Sequence, residues 1–139
     1  MMWKEKYKIG VGKIDQQHEE LFRRVEDFVI SLRKEGEWED KLPKVKETLE
    51  FMKGYVVTHF ADEEAYQEEE GYPGLEAHRQ VHEDFKTEVG EFAAKFEEQG
   101  YAEDLVQQFA GKLLAWLINH VAATDQKIAD YVKSKGVSN

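Results

Sequence analysis

"GYPGLEAHRQVHEDF", residues 71 to 85, is the stretch on which the fold turns. Gly71-Tyr72-Pro73-Gly74 is a strong turn signal, because glycine and proline together punctuate regular structure. Directly after it, Val81, Phe85, Val89, Phe92 and Phe96 recur at helical spacing as far as Gly100. Within that helix, His78 and His82 lie four residues apart and so project from one face.

Working outward from the turn, the preceding helix begins near Trp38 to Pro43 and carries Leu42, Val45, Leu49, Met52 and Val56 on its buried face. A first helix, with Asp15 as the expected N-cap, carries Leu21, Phe22, Val25, Phe28, Val29 and Leu32 and ends at Gly36. A fourth carries Leu105, Phe109, Leu113, Trp116 and Leu117, continues through Ile128 to Tyr131 and ends near Gly136. Helices of roughly 20 to 25 residues are about 30–38 Å long at ~1.5 Å rise per residue. Short connections favour antiparallel neighbours, so the expected fold is all-α: an up-down-up-down four-helix bundle. Residues 1 to 12 precede it. There Trp3, Tyr7, Ile9 and Val11 alternate and Gly10 and Gly12 discourage helix, which predicts an extended N-terminal arm packed on the bundle.

The chain has 139 residues, the size of one domain with its own core, and a single domain over 1–139 is expected. It contains no cysteine, so any metal is held by nitrogen and oxygen. A net charge of −10 argues against nucleic acid and against an anionic membrane surface. No apolar run is long enough to span a bilayer, and MMWKEKYKIG has no secretory apolar core, so a cytoplasmic protein is the default.

The five histidines are His18, His59, His78, His82 and His120. His59 and Glu63, in "HFADEE", repeat the four-residue spacing. His18 continues the stripe of Leu21 and Val25, and His120 continues that of Trp116 and Leu117. Every helix therefore points at least one imidazole inward. Asp125 follows His120 by five residues, which an ideal helix separates by ~140°. Either that carboxylate leans back toward the axis, or the helix is locally widened by a π-bulge.

One histidine on an apolar face is more often a hydrogen-bonded core residue than a ligand. A single His pair is compatible with chance, and Glu63 with a solvated position like its neighbour Glu64. Five inward imidazoles with two carboxylates are a different case. Each buried polar group left unpaired costs ~1–3 kcal/mol, and each unpaired buried carboxylate several more. The sum, on the order of 10 kcal/mol, rivals a domain's net stability of about 5–15 kcal/mol. No lysine or arginine falls on the inner stripes, so a cation is required. Seven ligands exceed one tetrahedral zinc and suit two ions sharing carboxylates; imidazole and carboxylate without thiolate suit iron.

The chain resembles the hemerythrin family, specifically its stand-alone bacterial members. The resemblance rests on "IDQQHEELF" around His18, "HFADEE", "GYPGLEAHRQVHEDF", "WLINHVAATD" and the opening Trp, Tyr and "IGV", and it covers essentially the whole chain. It implies a non-haem di-iron centre with an oxo or hydroxo bridge. His78, His82 and His120 would complete one iron, His18 and His59 would hold the other, and Glu63 and Asp125 would bridge the pair. The iron with two histidines keeps an open position for dioxygen. Leu21, Trp116, Leu117 and Val121, a turn or less from ligands, would wall a water-poor dioxygen pocket, though ordinary core accounts for them equally. One departure is Gln67, four residues after Glu63, where the family often has methionine or another apolar residue.

The expected function is reversible binding of dioxygen, for carriage, storage or sensing, rather than catalysis. The alternative is a di-iron oxidase, peroxidase or nitric-oxide scavenger on the same site, which Tyr66 and Gln67 keep open because an enzyme needs polar groups to move protons. A signalling module is weakened by the lack of a fused output domain. "GVGKID", residues 10 to 15, is half a glycine fingerprint without a preceding strand, and neither H-E-x-x-H nor E-x-x-H occurs. The acidic run "DEEAYQEEEG" reads as a solvated helix end.

Overall fold

The computed structural model describes residues 3, 4, 7, 8, 10, 12–124 and 126–137, with backbone alone at 122–124 and 135–137. Asp125, Ile9 and Val11 lie outside the described residues.

The described residues form an all-helical, four-rod bundle: α1 (Gly12–Arg33), α2 (Trp38–Glu69), α3 (Leu75–Gln99), and a fourth rod made of α4 (Glu103–Trp116), a π-helical segment (Leu117–Thr124) and α5 (Gln126–Val137). α2 packs against α1 and α3, and α1 against α4. The stripes expected from the sequence face the centre, where Val25, Phe28, Val45, Met52 and Phe109 are fully enclosed. Burying side chains of this kind contributes about 1.5–3 kcal/mol each. Val81 is the exception, 39% exposed beside the buried His82. Its place on the helix is one residue off the face that carries His78, His82, Phe85 and Val89, a rotation of about 100°.

Two helix starts show the local chemistry. α1 begins at Gly12, three residues before the expected cap. Asp15 sits inside the first turn, buried, and its carboxylate accepts from the Gly10 N–H at 3.1 Å. It therefore satisfies an otherwise orphaned donor by reaching back from within the helix, as the acid of a capping box does. At the α2–α3 connection Gly71 has φ +68, which favours glycine. A Cβ at Gly74 would lie 2.7 Å from the Tyr72 ring, so that ring occupies the space a side chain would need. Tyr72 packs edge-on against Tyr131, whose hydroxyl donates to the Gly71 carbonyl. At the opposite end, the Trp38 indole N–H donates to the Tyr101 carbonyl at 2.9 Å, tying the two other connections together.

The N-terminal arm lies on the bundle. Trp3 is buried and meets Phe22 edge-on at 5.3 Å, while Tyr7 stacks on Phe22 at 5.4 Å. A turn closed by the Tyr7 N–H on the Lys4 carbonyl brings both rings to that one residue. Among the described residues, no helix is long and apolar enough to cross a membrane.

Candidate metal centre

The helical period that makes the core also gathers the polar residues. His18 on α1, His59 and Glu63 on α2, His78 and His82 on α3, and His120 on the π-helical segment are all buried. Glu63 is the hub. Its Oε2 lies 3.0 Å from His18 Nε2 and 3.2 Å from His59 Nε2. Its Oε1 lies 2.7 Å from His78 Nε2 and 3.3 Å from His82 Nε2. The His120 ring is 4.7 Å from that of His78 and 5.2 Å from that of His82. The result is two groups of potential ligands, His18–His59–Glu63 and Glu63–His78–His82–His120, that share one carboxylate.

The rotation of the fourth rod has its own cause. A π-helical segment spans Leu117–Thr124 and contains His120. Its wider turn carries more residues per revolution than an α-helix, so it changes the facing of everything downstream of His120. This is the local widening that the five-residue interval to Asp125 anticipates.

Side chains that the sequence reading passes over decide the proton positions. Gln17 donates its Nε2–H to Asp62 Oδ2 at 2.8 Å, which fixes the orientation of the amide. Its Oε1 is then aimed at His59 Nδ1 at 2.6 Å. An amide oxygen only accepts, so His59 carries a proton on Nδ1, and in the neutral ring its Nε2 lone pair then turns toward Glu63 and toward His18 Nε2, 3.0 Å away. Asp62 holds this arrangement as an anion: the Gln17 hydrogen bond, opposed by partial burial and helped by Lys13, lowers its carboxyl below the ordinary range. Glu64 does the same for His82. Its Oε2 lies 2.7 Å from His82 Nδ1, and Arg79 pairs with its other oxygen at 3.3 Å. Glu64 is thus not the solvated neighbour of Glu63 that the sequence suggests. Local period does not mark this role, because its partner His82 lies on a facing helix.

Two imidazole lone pairs therefore face a carboxylate, a repulsive arrangement unless positive charge lies between them. His82 Nε2, 3.3 Å from Glu63 and out of line for a hydrogen bond, has no hydrogen-bond partner among the described residues. Burial raises the Glu63 carboxyl, but the hydrogen bonds with His18 and His78, with the His59 and His82 rings close by, outweigh that and hold it well below the usual carboxylate range. Either several buried imidazolium ions surround one carboxylate, or cations do. The donor set, all nitrogen and oxygen, fits borderline divalent metals.

Aromatic rings close the site. Phe60 stacks on His82 at 3.9 Å, Trp116 on His120 at 3.9 Å and Tyr55 on His59 at 4.6 Å. Phe85 stacks in turn on Trp116 at 4.0 Å. Leu21, Trp116, Leu117 and Val121 are all buried in the same apolar cluster. Phe60, absent from the wall expected from sequence, continues the stripe of Leu49, Met52 and Val56 by one further turn.

A bundle whose rods converge imidazoles on one shared carboxylate is, as a class, a cation-binding helical bundle. The chain belongs to the hemerythrin family: the family described as "Hemerythrin HHE cation binding domain" matches residues 9–132. It is 32% identical over 134 residues to a bacteriohemerythrin of Stenotrophomonas maltophilia, covering 96% of this chain and 82% of that protein. It is 29% identical to a bacteriohemerythrin of Clostridium acetobutylicum, covering 93% of this chain and 98% of that one. A myohemerythrin of Theromyzon tessulatum is 27% identical over 90% of this chain and 88% of its own length.

Proposed function

We propose that this chain holds two iron ions and binds dioxygen reversibly at them. The observation that carries the reading is the division of Glu63: one oxygen faces two imidazoles and the other faces the α3 imidazoles beside His120. His78, His82 and His120 would hold one ion and His18 and His59 the other, with Glu63 and, by the family resemblance, Asp125 shared between them. Three imidazoles and two shared bridges leave little room on the first ion, so its partner is the one open to a ligand. A ferrous pair supplies the electrons on which reversible dioxygen binding draws.

The chain's own residues provide the rest. Gln17 and Glu64, each accepting from the far ring nitrogen, hold His59 and His82 in the tautomer that offers Nε2 to metal. Phe60, Leu21, Trp116, Leu117 and Val121 surround the site with buried apolar surface, which limits water and so slows irreversible oxidation. The family membership and the names of the relatives support the same reading.

The test is cyclic. Reduced, iron-loaded protein is exposed to dioxygen and then purged with inert gas, with absorption followed throughout. Return to the colourless ferrous form over many cycles, at two irons per chain by elemental analysis, is the expected result. Steady dioxygen consumption with a reductant would replace the carrier with a di-iron oxidase.

A further inference from the structure

Beyond the ligand set lies one side chain with no account so far. Gln67 is fully buried, yet neither its Oε1 nor its Nε2 has a hydrogen-bond partner among the described residues. A buried primary amide without partners is strongly disfavoured, and a natural chain rarely keeps one without a use. The backbone explains where it points. Gln67 is four residues beyond Glu63 and eight beyond His59 on α2, the same face of the same helix. Helical side chains lean toward the N-terminus, over the preceding turn. The Gln67 backbone lies about 6 Å along the axis from that of Glu63, and its amide leans back over the Glu63 turn. Phe60 stands on the other side of Glu63 along the same axis. The neighbouring amide and carboxylate side chains are committed: Gln17 to Asp62 and His59, and Glu64 to His82 and Arg79.

We propose that Gln67 is a positioning residue for the metal pair, its amide N–H donating to an oxygen held at the metals and not to any group of the protein alone. This rests on the di-metal reading above. An amide donor suits the task because it carries no charge into a buried site and cannot itself bind the metals through nitrogen at neutral pH.

Gln67→Met removes the donor at similar volume; Gln67→Leu serves if the methionine packs poorly. Full-length parent and variants are loaded with ferrous iron under anaerobic conditions. Iron content, release rate to a ferrous chelator and melting temperature with and without iron are then measured. The expected result is two irons per chain in each, release about 10-fold faster in the variants, and a metal-free melting temperature unchanged or raised. Unchanged release overturns the proposal, and so does a metal-free melting temperature lowered as much as the loaded one, which would mark a purely structural amide. Failure of the parent itself to take up two metals sinks the di-metal reading instead, so the two outcomes are separable.

Discussion

His59 and His82 owe their facing to neighbours that never touch the shared carboxylate. Gln17 presents an amide oxygen and Glu64 a carboxylate to the far nitrogens of these rings. Losing such an acceptor frees the imidazole to rotate or to change tautomer. Typical costs are 10–100-fold in metal affinity. Glu64→Ala should therefore weaken metal binding at least ~10-fold in a metal-buffered titration. Glu68→Ala is the control: Glu68 also pairs with Arg79, at 3.6 Å, but is largely exposed and contacts no imidazole. It should leave affinity unchanged. Equal loss in both would assign the effect to Arg79 and not to His82. Neither Gln17 nor Glu64 is legible in sequence, because both partners come from another helix and local period says nothing about facing pairs. The inward histidines are legible, since each continues an apolar stripe along its own helix.

At the scale of the element, the fourth rod is the informative one. A uniform α-helix from Leu105 to Tyr131 would set His120 and the residues after it on different faces. The π-helical segment Leu117–Thr124 absorbs the mismatch. Such segments carry one residue more than the α-helix they interrupt. Inserting one alanine after Ala123, beyond the extra residue the segment already absorbs, should rotate everything after it by about 100°. Helical content by circular dichroism should barely change, while iron per chain should fall from two to one or none. Retention of two irons would show that the widening is incidental. This widening was readable from the five-residue step from His120 to Asp125. Its extent over eight residues was not, because nothing in LINHVAAT distinguishes a π turn from an α turn. The helix starts were less legible still: Asp15 looks like a cap, and acts as one only from inside the first turn.

For the whole molecule, burying five imidazoles and a carboxylate at the centre of the bundle makes stability depend on what neutralises them. Metal binding to a preformed site is folding free energy, because the unfolded chain offers no such site. Stripping metal should lower the melting temperature by more than about 10 °C, as several kcal/mol translate into roughly 4 °C each at this size. Scanning calorimetry before and after chelation measures it directly, and readdition of iron should restore the higher transition. Coincident transitions would mean that the centre contributes nothing to the fold. The apolar layers away from the site, such as Phe28, Phe96 and Phe109, should keep the metal-free chain helical. The position of Glu63 has one more consequence. A single carboxylate cannot serve two masters independently: whatever occupies its first oxygen preorganises the second for the neighbouring pocket. With two metals bound, occupancy of the two halves would thereby be linked, so that half-filled molecules should be scarce and the centre should assemble or dismantle as a unit.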